Sequence, residues 1–411
     1  MNFSNSYYNS PNSHKLRMNH YLMEDVVNIR EPTKLLGYYD VGLNKKFKMY
    51  KILKQEKTLL LGILTVMFFK TFGENMLTSS PSIFSYVITT AVLFYVAMTA
   101  IFAVVRHSDS LAIKLGDPFG TLILTLAVIS LEVIMISSVM LTGDPNPVLA
   151  RDTMFAVIMA VLNGFVGITL LVGGMKYHTQ SYNLDGIKAY LVAIIPLAML
   201  CLILPNFTSS SDNGNMSLSL MGTLVLASIA LYGVFLFVQT RSHTHFFIDA
   251  DNKSEHDHHG PVSSNLFHTV MLISYLLIVI LLAKGLAIPI NDSISVMGAP
   301  AALGGLIVAL IILAPEAVGA VKAALTNQLQ RAINLFFGSV LATIALTVPA
   351  VLLISGVMDQ PLRLGLEPAE MVLLAATLLM TSVSFSSGRT NSLNGATHLV
   401  LFFAYLILMF D

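Results

Sequence analysis

GTLILTLAVISLE, residues Gly120 to Glu132, and GGLIVALIILAPE, residues Gly304 to Glu316, share an opening glycine, eleven uncharged residues and a closing glutamate. They match at five of thirteen positions, and most of the other positions exchange one apolar or small residue for another. A carboxylate carried twice to the end of such a run needs a physical reason. At bilayer depth each one costs at least about 2.5 kcal/mol in its charged form.

Composition places these runs in a membrane. Charged residues make up 11% of the 411 and apolar residues 55%, whereas soluble domains carry roughly 25% charge. Apolar stretches of about 20 residues recur, the length of a helix that crosses the hydrocarbon core. Hydropathy divides the chain into eleven segments near 58–74, 83–106, 117–142, 153–175, 187–206, 217–240, 266–285, 294–323, 331–357, 368–387 and 394–410. The expected fold is an all-α polytopic membrane protein with about eleven transmembrane helices. The single cysteine, Cys201, excludes a disulfide framework or a cysteine metal site. The first fifty residues are polar, unlike a cleaved signal peptide.

Basic residues set the orientation, because Lys and Arg favour cytoplasmic loops. NKKFKMYKILKQEK, residues 44–57, precedes the first segment with six lysines. With a cytoplasmic N-terminus, all but four of the 23 basic residues, Lys70, Arg151, Lys284 and Arg363, fall on the cytoplasmic side. The C-terminus then lies outside. The two glutamate runs sit five crossings apart and so run in opposite directions through the bilayer. This is the pattern of an inverted repeat, common in secondary transporters with the ion site near mid-membrane. The chain divides into a polar basic cytoplasmic tail (1–56), an extra first helix and loop (57–82), a first five-helix repeat (83–240), a His-rich cytoplasmic loop (241–265) and a second five-helix repeat (266–411).

Of the 23 acidic residues only Glu132 and Glu316 fall well inside apolar segments, and no Lys or Arg lies comparably deep. Such a pair is stabilised by binding cations or protons. Nearby oxygens suit a hard cation: Asn334, Ser339 and Thr343 follow Glu316, and Asn163 follows Glu132. Gly338 and Gly164 allow close backbone approach. Pro315, directly before Glu316, suits a broken helix. The same residue types are routine at helix contacts in membranes. Neither histidine nor a metal-ligand motif accompanies the carboxylates, which argues against an enzyme. No phosphate-binding Gly-Lys-Ser/Thr loop argues for an ATP-driven pump. A cation channel is the alternative from another class; it gains nothing from titratable carboxylates in an inverted repeat.

These residues resemble the calcium/cation antiporter superfamily, and within it the bacterial ChaA-like calcium/proton (sodium or potassium/proton) antiporters, over about residues 57–411. Glu316, Gly338 and Ser339 keep the spacing of the second repeat of proton-coupled members. Glu132 and Asn163 match the first repeat once four residues are inserted around TGDPNP, with Ile158-Met159 replacing its Gly-Ser pair. Ser130-Leu131 and Ala314-Pro315 stand where many relatives have Gly-Asn. The resemblance implies two inverted five-helix repeats and export of Ca²⁺, or of Na⁺ or K⁺, against H⁺, with no cofactor. It implies a bacterial inner membrane as the location. Membrane lipid, cations and protons are the expected partners, and nothing points to nucleic acid.

The central loop holds His243, His245, His256, His258 and His259 among Asp249, Asp251, Glu255 and Asp257. It reads as a solvated linker, with His256, His258 and His259 as candidates for regulation by protons or metal. The lysine-rich tail meets anionic lipid.

Overall fold

The computed structural model describes residues 56–73, 83–115, 123, 126–127, 129–133, 136, 147–208, 216–248, 264–298, 300, 302–358 and 362–410. The N-terminal tail and His256, His258 and His259 lie outside the described residues. The described chain is helical apart from one short ribbon. Its helices are α1 (Lys57–Phe68), α2 (Ile83–Leu115), α3 (Leu149–Met159), α4 (Val166–Tyr177), α5 (Leu184–Ala198) and α6 (Leu218–Phe237). The second half holds α7 (Asn265–Met297), α8 (Ala302–Leu325), α9 (Leu329–Ala342), α10 (Val348–Met358), α11 (Pro368–Ser384) and α12 (Ser392–Leu408). Residues 129–133, around Glu132, are helical too. Six of these helices or helix pairs are long and apolar enough to cross a membrane, and a bent seventh joins them if its halves count as one span. This is an integral membrane protein of helices.

Helix ends follow local chemistry. The Asn183 side chain accepts from the amides of Asp185 and Gly186, and Asn391 does the same for Leu393 and Asn394. Glu367 and Glu370 form a capping box around Pro368 at the start of α11. Several boundaries differ from the hydropathy reading, and α2 runs on to Leu115, past the expected 106. Segments expected at 266–285 and 294–323 are instead a helix running through Pro289 to Met297 and a second beginning at Ala302. Hydropathy reports membrane depth, and the polar INDSIS stretch broke the apolar run without breaking the backbone. The Pro289 carbonyl, near that point, accepts from Tyr86 at 3.1 Å and from Ser293 at 2.7 Å.

Two spans occupy the centre. In Leu149–Tyr177 and Leu329–Val357, 78% and 67% of the most apolar window is buried, against 22–50% in the other four long spans. Each central span is interrupted midway by a wide π-turn, Ala160–Phe165 between α3 and α4 and Thr343–Thr347 between α9 and α10. Such turns shift side chains out of helical register and are frequent at functional sites. Outer helices expose Leu226, Val234, Leu379, Val400 and Ile407, a surface that hydrocarbon accepts and water does not.

The loops gather at two opposite ends of the central spans. At one end, Gln180–Ser181 pairs antiparallel with Arg389–Thr390. Gln180 donates to the Ala324 carbonyl at 2.9 Å, the Asn183 amide donates to Gln330 at 2.7 Å, and Asn334 donates to the Phe247 carbonyl at 2.6 Å. At the other end, Asn206 donates to the Leu366 carbonyl and Arg151 pairs with Asp152 and Glu367. A cavity of about 390 Å³ opens there between Arg151, Phe207, Arg363 and Glu367.

The first helix is tied to the bundle by Glu56, at its N-cap. One Glu56 oxygen accepts from Arg106 at 2.7 Å and Tyr275 at 2.8 Å, and meets His107 Nε2 at 3.3 Å. His107 Nδ1 in turn meets His268 Nδ1 at 3.0 Å. Burial pushes the Glu56 carboxyl up, but the hydrogen bonds of His107 and Tyr275 and the charge of Arg106 outweigh it and hold the carboxyl below its ordinary value. A depressed carboxyl stabilises the fold above its unfolded pKa, and that contribution is lost as pH falls through the folded value. The melting temperature of the detergent-purified protein should therefore fall as pH drops below the ordinary glutamate value of 4.5. Glu56→Gln should be less stable at pH 7 and should lose less on acidification; an equal acid loss in both proteins would remove Glu56 from this role.

Candidate cation site

Glu132 and Glu316 are both buried, 3% and 1% exposed. The Thr343 hydroxyl, at the start of the second π-turn, donates to Glu132 Oε2 at 2.8 Å. Ser339, Thr343 and Thr347 follow one another at four-residue spacing in the second central span, the last two at the two ends of its π-turn. Ser339 lies beside Glu316, and Glu132 is near enough for the two carboxylates to repel when both are charged. Among the described residues, Glu132 Oε1, both Glu316 oxygens, Ser339 Oγ and Thr347 Oγ1 are buried with no hydrogen bond of good geometry, although Ser339 faces Glu316 closely enough to offer it one. Orphaned buried oxygens cost about 1–3 kcal/mol each, more when charged. A cation, or protons on the carboxylates, would satisfy them, and the set is all oxygen, as hard cations require.

The backbone contributes as well. The axis of α8 turns by 54° between Leu303–Ala314 and Glu316–Leu325, so Glu316 opens the second half directly after Pro315. A proline there donates no bond to the carbonyl four residues back. The positive N-terminal end of the second half lies at the glutamate, where negative charge is favoured. α8 packs against α3, α4 and α9, so the bend is held between both central spans.

The other residues singled out in the sequence are distributed differently. Asn163 lies in the first π-turn, fully buried, and donates through Nδ2 to Thr377 at 2.8 Å while Oδ1 meets His398 Nδ1 at 3.3 Å. Asn334 is committed to the loop end through Phe247 and Gln330. At Gly164 an added Cβ would meet the Phe402 ring at 3.4 Å, so this glycine admits α12. Gly338 is half-buried on α9, one residue before Ser339. His243 and His245 are exposed at the loop end. Among the described residues no group of three or more His, Cys, Asp or Glu is arranged to hold a resident metal ion.

Two features escaped the sequence reading. Thr347 was legible as the next step of the four-residue hydroxyl spacing. His398, wholly buried, was not singled out; it bonds Asn163 and Ser384 and not either carboxylate. It stands 235 residues from Asn163, and only packing of α12 on the first π-turn joins them.

Comparison with known proteins bears on the family and the fold. The family model described as sodium/calcium exchanger protein matches residues 85–241 and 267–410. The sodium-potassium/proton antiporter ChaA of Escherichia coli (strain K12) is 48% identical over 318 residues, 76% of this chain and 86% of that protein. The fold is shared with native YfkE, at a TM-score of 0.64 and 18% identity, covering 86% of this chain and 99% of that one. It is shared also with the H⁺/Ca²⁺ exchanger CAX, at a TM-score of 0.62 and 12% identity, covering 86% and 88%. The chain belongs to the sodium/calcium exchanger protein family.

Proposed function

We propose that this protein is a secondary cation/proton antiporter that exports Ca²⁺, and in the same way Na⁺ or K⁺, against H⁺ by alternating access around Glu132 and Glu316. The observation that carries this reading is the set of buried, unpartnered oxygens on Glu132, Glu316, Ser339 and Thr347. The names of relatives support it from both sides: the E. coli relative is a sodium-potassium/proton antiporter and CAX an H⁺/Ca²⁺ exchanger. We read the architecture as eleven transmembrane helices, one extra and two inverted sets of five, in a bacterial inner membrane with the N-terminus inside. Two matches to one family model, on either side of the central loop, and a π-turn in each central span support the repeat.

Coupling follows from charge. Two carboxylates are neutralised by one Ca²⁺, by two protons, or by one monovalent cation with one proton. The bare, doubly ionised site is costly in low dielectric. A loaded site changes sides and an empty one does so poorly, so protons entering down their gradient drive the cation out. The apparent pKa values of transport belong to the pair.

The test is dissipation of ΔpH in everted vesicles, with Ca²⁺, Na⁺ and K⁺ added separately. Glu132→Gln and Glu316→Gln, which keep volume but imitate permanent protonation, should abolish exchange while membrane insertion survives. Normal coupled exchange in both would sink the shared site, and cation flux without proton exchange in the parent protein would mark a channel. Thr343→Val removes one hydrogen bond to a carboxylate, so the cation KM should change by about tenfold with exchange retained. For orientation, cysteines replace Phe207 and Ser242, singly in a Cys201→Ala background. An impermeant thiol reagent should reach the first from outside and the second only after permeabilisation; labelling of both from one side would end the five-plus-five arrangement.

A further inference from the structure

Asn163, Thr377, Ser384 and His398 form a buried polar group whose proton positions are determined by its geometry. Their exposure is 0–2%. The Thr377 hydroxyl has one proton, which goes to the Leu373 carbonyl at 2.8 Å. Thr377 Oγ1 therefore accepts from Asn163 Nδ2, also at 2.8 Å. Turning the amide over would set two acceptors against each other. Asn163 Oδ1 consequently faces His398 Nδ1 at 3.3 Å, and a carbonyl oxygen only accepts. The Nδ1 atom of His398 must carry the proton. Nε2 then accepts from the Ser384 hydroxyl at 3.1 Å. A neutral imidazole satisfies both side-chain contacts, with the Leu162 backbone as a further acceptor beside the ring; an imidazolium would need Ser384 to reverse its role.

The consequence lies in what remains of Asn163. A side-chain amide presents either an oxygen or an NH₂, and only the oxygen binds a cation. Thr377 engages the nitrogen and His398 uses one lone pair of the oxygen, which leaves the second lone pair. The π-turn that carries Asn163 packs against α8 and α9, the elements that carry Glu316 and Ser339. We propose that His398 is a positioning residue for transport, whose Nδ1–H fixes the Asn163 amide with its oxygen rather than its nitrogen available to the transported cation. Histidines that orient metal ligands through a hydrogen bond act in the same way, and losing such a partner weakens binding without removing a ligand. This inference rests on the Glu132–Glu316 reading.

Asparagine and glutamine separate the two ring nitrogens, since the Asn amide nitrogen falls near the Nδ1 position and the Gln amide nitrogen near Nε2. In everted vesicles with Ca²⁺, Na⁺ or K⁺ as the probe, His398→Asn should keep the cation KM close to the parent value. His398→Gln and His398→Ala should raise it about fivefold or more, the worth of one buried hydrogen bond, with the maximal rate per inserted protein little changed. Thr377→Val, a change of small volume, should raise KM in the same direction, and Asn163→Ala combined with His398→Gln should be no worse than Asn163→Ala alone. Equal loss of rate in all three His398 variants at constant KM would overturn the proposal and leave His398 as packing. So would a Thr377→Val protein of unchanged KM, even if the His398 variants fail to insert. Retained exchange in Glu132→Gln and Glu316→Gln would instead refute the carboxylate site itself, whatever the His398 variants do.

Discussion

Two carboxylates in one low-dielectric bundle, with no basic side chain among the described residues bonded to either, are the constraint on which the rest of this structure depends. An ion pair would have neutralised them permanently and made them structural. Thr343 supplies one hydrogen bond to Glu132, and Ser339 is the neighbouring hydroxyl of Glu316, whose oxygens have no hydrogen bond of good geometry among the described residues. Oxygens placed in this way are satisfied by a cation or by protons, which is the basis of the proposed exchange site.

The surrounding architecture keeps that unsatisfied site dry and in place. Glu316 stands at the 54° bend of α8, where the helix has already given up a backbone bond at Pro315. The two most buried spans enclose the bend and each widens into a π-turn. A wide turn costs hydrogen-bond geometry, and its return is a polar side chain aimed out of register into the centre. Thr343 is aimed in this way at Glu132, while Asn163 is held by Thr377 and His398. The ends of the spans are treated differently. Gln180, Asn183 and Asn334 tie one end together with short hydrogen bonds, whereas the opposite end leaves a cavity beside Arg151 and Glu367.

The helical membrane class of the fold could be read from the chain because membrane insertion depends on local quantities. A run of apolar residues, a flanking cluster of lysines and a proline before a glutamate each act over at most one helix length. The boundary near Pro289 shows the limit: hydropathy located the polar stretch, while backbone bonding carried α7 on to Met297. Glu132 and Glu316 were legible for the same reason, as charges out of place in apolar sequence.

Pairing between helices was not legible, because no local rule says which faces meet. Asn163, Asn334, Ser339 and Thr343 look alike in sequence, each a small polar residue in an apolar span. Packing puts Thr343 on Glu132, Ser339 beside Glu316, and Asn334 on the Phe247 carbonyl. His398 carries no local mark of its bond to Asn163, and neither does Glu56 of its bond to Tyr275, 219 residues away. The sequence by itself determined that this protein crosses a membrane and buries two carboxylates, since both follow from transfer free energies of single residues and segments. Tertiary structure alone decided which oxygens surround those carboxylates and which amide is locked by a neutral histidine, because hydrogen-bond partners are chosen by geometry across the bundle.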